Sequence, residues 1–433
     1  MSDSHPKEIG VSPRRRWLSS PVMRKVMIFL SVFGPATITA MADNDASGVA
    51  TYSIAGSKLG YPILFLLVII TILLGVTQEM GMRLTLITQR GLADLIREKF
   101  GVKAALFIFG SLMVANMGTI IGDMAAIKTT STMLNLPVLP TIGVIVVVTF
   151  LFVTKGNYKL TQSIMLVSCF FYLAYIISAI QAKPDWGLAF SNLLYPHGVN
   201  FTPQYMRDYL VIGMGVLGTT ITPWGQFFVS SFAFDKRIEA KNVKFSQAET
   251  YWGAFLTDFF SFFMVVATSA TLFAHGITLV SGEQAALAIK PMAGEMAGTL
   301  FAIGILNAGF MGIVIVSLST AYAFAEFFGI PGSLDSSYSK SKPFYILFMG
   351  QLIIAAGIAL LPGINLFKLV ITTQGINAMA LPLVFFFLIK LTNSKRLMNE
   401  YANNTFQKYF SIGATVVIVI ASVLTLAAAI LGW

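Results

Sequence analysis

Charge is what this sequence has least of: 19 acidic and 29 basic residues in 433, or 11% together, against about 25% in a soluble globular protein. The shortage excludes an ordinary soluble enzyme, a disordered chain and a nucleic-acid binder. Cysteine occurs once, as Cys169 inside the apolar run Ser168–Phe171. It can form no intramolecular disulfide and reads as a small core residue. Histidine occurs three times, as His5, His197 and His275, in the tail or in outside-facing segments. No membrane-embedded histidine is therefore available as a proton relay, and Cys and His form no soft-metal cluster. Nucleophile elbow, phosphate loop and zinc-protease signatures are all missing. The expectation is a protein that is not an enzyme and uses no cofactor.

Apolar residues, by contrast, make up 56% of the chain. Runs of roughly 20 of them, enough to cross a ~30 Å hydrocarbon core as a helix, recur eleven times. They lie near 26–57, 61–88, 104–128, 137–154, 160–182, 208–233, 250–275, 297–328, 343–362, 366–391 and 409–431. Punctuators such as Gly156-Asn157, Pro331-Gly332 and Pro362-Gly363 end them. Residues 1–22, with Arg14, Arg15 and Arg16, lack the apolar core of a signal peptide and read as a cytoplasmic tail. Residues 23–433 read as one transmembrane domain surrounded by lipid.

Orientation follows from the basic residues. With the N-terminus inside, only Lys58, Lys128, Lys183, Arg207, Lys290 and Lys368 fall on the outer side, which leaves 23 of 29 within. This supports an all-α plasma-membrane protein of eleven spans with its C-terminus outside, taken as a monomer. The net charge of +10 is then topology rather than affinity for phosphate.

Two runs carry polar interruptions at mid-membrane depth. The first contains Asp43-Asn44-Asp45-Ala46-Ser47-Gly48, and the sixth contains Gly218-Thr219-Thr220-Ile221-Thr222-Pro223-Trp224-Gly225-Gln226. Polar backbone at that depth is tolerated only where it is buried in protein or lines a cavity. Five segments separate the two, which matches two five-helix repeats, about 26–182 and 208–391, with an extra helix at 409–431. Transporters built from inverted repeats bind substrate between such broken helices.

Ionisable residues inside spans are functional candidates. Asp43 and Asp45 are the most central, either as N-caps of a second half-helix or as part of a cation site. Asp45 with Thr219, Thr222 and exposed carbonyls offers the oxygen donors that hard divalent cations favour. Asp123 and Asn116 stand seven residues apart on one helix face, as a relay or as a structural hydrogen bond to a neighbouring helix. Glu79 and Arg83, at i and i+4, read as an intrahelical ion pair. Glu249, Asp258 and Glu326 are each gate, cap or ion pair, while Gln374 and Asn377 face the cavity or tie helices together.

These residues resemble the NRAMP metal-ion transporters. Gly34-Pro35 through Gly60-Tyr61 aligns without a gap to that family's first helix. The stretch Leu92–Glu98, Gln374 with Leu381-Pro382, and Arg396-Leu397-Met398 match at its spacing. The resemblance implies a LeuT-like inverted five-helix repeat with helices 1 and 6 broken. Where the family carries Asp-Pro-Gly-Asn, this chain has Asp45-Ala46-Ser47-Gly48, so the aspartate ligand is kept and the asparagine ligand becomes Gly48. The family's Ala and Met ligand positions are Thr219 and Thr222. A thioether favours late transition metals, and a hydroxyl does not. The family's helix 6 histidine corresponds to Trp224, and acidic helix 3 positions correspond to Asn116 and Ala126, leaving Asp123.

The pattern is similar to the NRAMP-related magnesium transporter branch. It implies import of magnesium and manganese by alternating access without protons. Asp45 is then the charged ligand, surrounded by carbonyls of Ala42 and Thr219 and the Thr222 hydroxyl. Asp43, Asn44, Gln226 and Gln374 would hold the ion's water shell. The rivals are a proton-coupled manganese or iron transporter, a sodium-coupled solute symporter of the same fold, and an ion-sensing receptor. Asp43 and Asp45 would repel the symporter's carboxylate substrate.

Overall fold

The structure, a computed structural model, describes residues 33–277, 294–361 and 366–431, together with Lys25, Met27, Phe29, Ser31 and Leu279. The tail 1–22, position 26 where the first run begins, and Lys290 lie outside the described residues. All described regular structure is helical.

Helix α1 (Pro35–Ala42) is separated from α2 (Ala46–Leu59) by Asp43, Asn44 and Asp45. Then come α3 (Ile63–Thr88), α4 (Leu92–Met133) and α5 (Val138–Lys155). Helix α6 (Tyr158–Ser168) runs through a 3₁₀ turn at Cys169–Tyr172 into α7 (Leu173–Gln181), and a short α8 (Trp186–Ser191) follows. Helix α9 (Pro203–Thr220) stops two residues before α10 (Pro223–Asp235). The remainder is α11 (Val243–Thr271), α12 (Glu295–Phe328), α13 (Lys342–Leu360), α14 (Leu366–Thr392), α15 (Lys395–Met398) and α16 (Thr405–Leu431).

Among the described residues, nine helical stretches are long and apolar enough to cross a membrane. The pairs α1/α2 and α9/α10 are not among them: α1, α2 and α10 are too short, and α9 opens on the polar stretch Pro203–Asp208. Helix α4 begins earlier than its apolar run, at Leu92. Gly101, at φ 84°, breaks its helical geometry and sets Leu92–Phe100 off from the span proper. A left-handed φ favours glycine there.

Both interruptions use the same local chemistry. A proline starts α10, where its missing N–H costs nothing, whereas Pro35 starts α1, ahead of the first interruption rather than in it. Asp45 caps α2, its Oδ1 accepting from the Gly48 amide at 2.6 Å. Thr222 caps α10, its Oγ1 accepting from the Gly225 amide at 3.1 Å. Such caps satisfy amides that a helix start leaves free.

Close helix crossings bring the two interruptions together. A Cβ on Gly56 would lie 2.1 Å from Thr268 Oγ1, and one on Gly218 would lie 2.0 Å from the Gln374 carbonyl. Glycine at those positions lets α2 seat on α11, and α9 on α14. Small residues serve this purpose inside membranes, where apolar area gives helices no reason to prefer each other over lipid.

At the lysine- and arginine-rich side, buried acids tie elements together. Glu79 and Arg83 form the i,i+4 pair, with Nε 2.7 Å from Oε1. Gln247 on α11 and Gln407 on α16 each donate to Glu79 at 2.7 Å. Arg83 also donates to Asn403 Oδ1 at 2.9 Å and to the Tyr401 carbonyl. Glu249 accepts from the Gly34 and Thr37 amides at 2.8 and 2.9 Å, capping α1 from another helix. Glu326 accepts from Ser231 Oγ at 2.6 Å and from the Ala93 amide at 3.2 Å.

Candidate metal site

The two interruptions meet through Asp43. Its Oδ1 accepts from Thr222 Oγ1 at 3.0 Å and its Oδ2 from Gln78 Nε2 at 3.4 Å. The Thr222 hydroxyl therefore donates across the gap while accepting from its own helix. Asp43 and Asp45 are buried, as are Thr219 and Thr222.

Gly48 marks where the oxygens converge. A Cβ built there would lie 2.6 Å from the Asp43 carbonyl, 3.1 Å from Thr219 Oγ1 and 3.3 Å from Asp45 Oδ1. Carbonyl, hydroxyl and carboxylate thus face a space that only the lack of a side chain keeps open. Thr219 Oγ1 has no hydrogen-bond partner among the described residues. A buried hydroxyl in that state carries an unpaid desolvation cost, which an incoming cation or its water would offset.

Asp123 on α4 joins from the far side. Its Oδ1 accepts from Ser47 N and Oγ, both at 3.1 Å, while Oδ2 has no partner. Asp45 and Asp123 thus flank the first turn of α2, and Gly312 on α12 closes over them. A Cβ there would fall 2.1 Å from Asp123 Oδ2 and 2.8 Å from Asp45 Cβ.

The other sequence-predicted residues occupy varied places. The Ala42 carbonyl accepts from the Asp45 amide at 3.0 Å, in the turn itself. Asn44 points at α11, its Nδ2 donating to the Thr257 carbonyl at 2.8 Å and its Oδ1 accepting from Ser261 Oγ at 2.7 Å. Gln226 Nε2 donates to Thr77 Oγ1 at 3.4 Å and leaves Oε1 unpartnered. Gln374 accepts from Asn377 at 2.9 Å within α14 and leaves Nε2 unpartnered. Asn116 Nδ2 donates to Thr320 Oγ1 at 2.7 Å. Trp224 is fully buried, with its carbonyl accepting from Ser319 Oγ at 2.9 Å.

Sequence reasoning did not single out Gln78, Gly312 or Tyr172. Gln78 was visible as an amide in an apolar run. Gly312 and Tyr172 carry no local signal. The Tyr172 hydroxyl reaches the Asn44 and Met41 carbonyls, at 2.9 and 3.2 Å, only because of how α6 and α7 cross the first interruption. Among the described residues no three His, Cys, Asp or Glu side chains form a cluster able to hold a metal ion. A cation here would rest on one or two carboxylates and neutral oxygens.

Known proteins resemble this chain over most of its length. It is 24% identical over 399 residues to the divalent metal cation transporter MntH of Verminephrobacter eiseniae, covering 88% of this chain and 86% of that one. It is 23% identical over 393 residues to a Natural resistance-associated macrophage protein 2 homolog of Dictyostelium discoideum, covering 86% of this chain and 59% of that one. Its fold is similar to that of a mutant of the Eremococcus coleocola manganese transporter, with a TM-score of 0.75 and 18% identity. That match covers 92% of this chain and 86% of the other. A nucleobase-cation-symport-1 family transporter matches with a TM-score of 0.59 and 12% identity over 91% of this chain and 90% of its own. The Natural resistance-associated macrophage protein-like family matches residues 36–428; this integral membrane chain belongs to that family.

Proposed function

We propose that the chain is a divalent cation transporter that imports magnesium, and manganese with it, down the electrochemical gradient without coupled protons. The observation that carries this reading is the set of hard oxygens around Gly48: the Asp43 carbonyl, Thr219 Oγ1 and Asp45 Oδ1, all within 3.3 Å of one point. Magnesium dehydrates reluctantly and is held by one or two carboxylates with several of its waters kept. Unpartnered polar atoms on Thr219, Gln226 and Gln374 suit such a water shell. Asp45 is the charged ligand, with carbonyls of Ala42 and Thr219 and the Thr222 hydroxyl beside it. Asp43, Asn44, Gln226 and Gln374 form the outer polar layer. The relatives named as divalent metal cation and manganese transporters support cation transport as such.

In this reading, α1/α2 and α9/α10 are broken first and sixth spans of an eleven-helix inverted repeat. The repeats cover about 26–182 and 208–391, and alternating access turns on the interruptions. The chain lies in the plasma membrane with its basic side in the cytoplasm. An inside-negative potential favours cation entry by about 2.3 kcal/mol per charge per 100 mV, so uptake needs no partner ion. Trp224 at the family's histidine position supports the lack of proton coupling, with Asp123 and Asn116 left as gate residues.

Uptake in proteoliposomes with magnesium, manganese and a pH-sensitive dye tests the proposal. Absence of magnesium entry refutes it, whereas acidification during entry refutes only the uncoupled version. Thr222→Met should shift preference toward manganese and softer ions. Unchanged selectivity would remove the argument from ligand softness.

A further inference from the structure

Helices α14 and α16 leave between them an open groove of about 450 Å³ at the outer surface of the molecule. Phe386, Lys390 and Asn393 stand at i, i+4 and i+7 along one side of it, and Ile412 and Val416 at i and i+4 along the other. Phe386, Ile412 and Val416 are each more than a third exposed, so the floor is apolar and open to lipid. Asn393 follows the last residue of α14, whereas Phe386 lies two turns back, about 10 Å deeper at 1.5 Å per residue. The groove therefore has a polar end on the lysine- and arginine-rich side and an apolar end toward mid-depth.

Lys390 sits where those ends meet. Its Nζ stands 5.4 Å from the centre of the Phe100 ring and 5.5 Å from that of Phe386. Two ring faces thus hold the ammonium in place. The side chain is nonetheless exposed, and it enters none of the ion pairs found among the described residues. Asn393 Oδ1 accepts from Asn403 Nδ2 at 3.1 Å, which leaves the Asn393 Nδ2 donor for a ligand. Between 386 and 416 the chain carries Lys390, Lys395, Arg396 and Lys408 against one acid, Glu400. Glu98, two residues before Phe100, is already paired with Arg90 and Lys99.

We propose that this groove binds an anionic phospholipid of the leaflet on the basic side, with its phosphate at Lys390 and Asn393 and an acyl chain along Phe386, Ile412 and Val416. Basic residues at that depth attract anionic headgroups. A free phosphate would leave the apolar floor uncovered, and a zwitterionic lipid would bring a cation of its own to a rim that is already positive. A second copy docked by two-fold symmetry would set the same cations against each other. The bound lipid would tie three helices together. Lys390 rests on Phe100, in the part of α4 before the bend at Gly101, and Asn403 passes the contact from Asn393 on to Arg83 at 2.9 Å.

Native mass spectrometry of the full chain in detergent, titrated with phosphatidylglycerol and with phosphatidylcholine of the same acyl chains, tests this. The first phosphatidylglycerol should bind more tightly than the first phosphatidylcholine, and excess inorganic phosphate should not displace it. Lys390→Gln should weaken phosphatidylglycerol about fivefold, the share of one basic residue at an anionic membrane surface, and leave phosphatidylcholine unchanged. Lys390→Arg should keep the wild-type affinity. Val416→Trp, which fills the groove with every charge in place, should weaken phosphatidylglycerol by at least as much as Lys390→Gln. The proposal is overturned if the two lipids bind alike, if free phosphate displaces the lipid, or if Lys390→Gln or Val416→Trp binds phosphatidylglycerol as the wild type does. A dimer that Val416→Trp abolishes overturns it too, by giving the groove to a second copy. Should Lys390→Gln fail to fold, unchanged binding in Val416→Trp overturns it alone.

Discussion

Two pairs of buried acids in this molecule, Glu79 with Glu326 and Asp45 with Asp123, are treated in opposite ways. On the lysine- and arginine-rich side, Glu79 accepts from Arg83, Gln247 and Gln407, and Glu326 has a donor on each oxygen. At mid-depth, Asp123 leaves Oδ2 without a donor, and Asp45 beside it faces an unpartnered threonine hydroxyl across Gly48. A carboxylate whose oxygens are filled by the protein is architecture. One whose oxygens are left partly open has room for something that comes and goes.

The sharpest way to break this contrast is Asp45→Asn. Asparagine caps a helix about as well as aspartate, so the substitution removes charge and keeps the cap. Uptake should fall to background while the melting temperature barely moves. If transport survives, Asp45 is only a cap. Arg83→Ala should do the reverse. Breaking a buried ion pair costs about 3–5 kcal/mol, so thermal stability should drop steeply, while the folded fraction transports normally per molecule. A transport defect out of proportion to unfolding would join the two regions.

Gly48→Ala is a smaller probe. Its Cβ would meet the Asp43 carbonyl at 2.6 Å, so radiotracer uptake should decline less than for Asp45→Asn, with maximal rate and apparent affinity both affected. An alanine that changes neither would show that the space at Gly48 is not used.

The smallest effect concerns the basic side. Lys236 donates to the Phe33 carbonyl at 2.6 Å. Burial pushes its ammonium down to about 8, although Glu249 pulls the other way. An unfolded lysine titrates near 10.4, so between those values the unfolded chain binds more protons and stability rises with pH. Lys236→Met should flatten that rise in melting curves taken from pH 8 to 10.

Much of this was legible in the sequence, and unevenly. Both interruptions stand out because Asp43-Asn44-Asp45 puts two carboxylates and an amide, and Thr222-Pro223-Trp224-Gly225 a proline and a glycine, in the middle of apolar runs. Glu79 and Arg83 were readable as a pair because a helix sets their spacing. What was not readable depends on which helix lies opposite. Asn44 turns to α11, Glu249 caps α1, and Gly312 covers Asp123, and no local pattern records those choices. Residues 92–98 fall between two apolar runs, and the structure makes them helical up to the bend at Gly101.

The pair at Glu79 and Arg83 has a consequence for how the protein is made. Of its remaining partners, Gln247 follows 168 residues on, while Tyr401, Asn403 and Gln407 arrive more than 300 residues later in the chain. Until α16 emerges from the ribosome, α3 holds an ion pair with part of its outer hydrogen bonds unfilled. Helix α16 thus completes a much earlier one, and a chain truncated before it would carry an exposed polar mark that a membrane protease or chaperone can read.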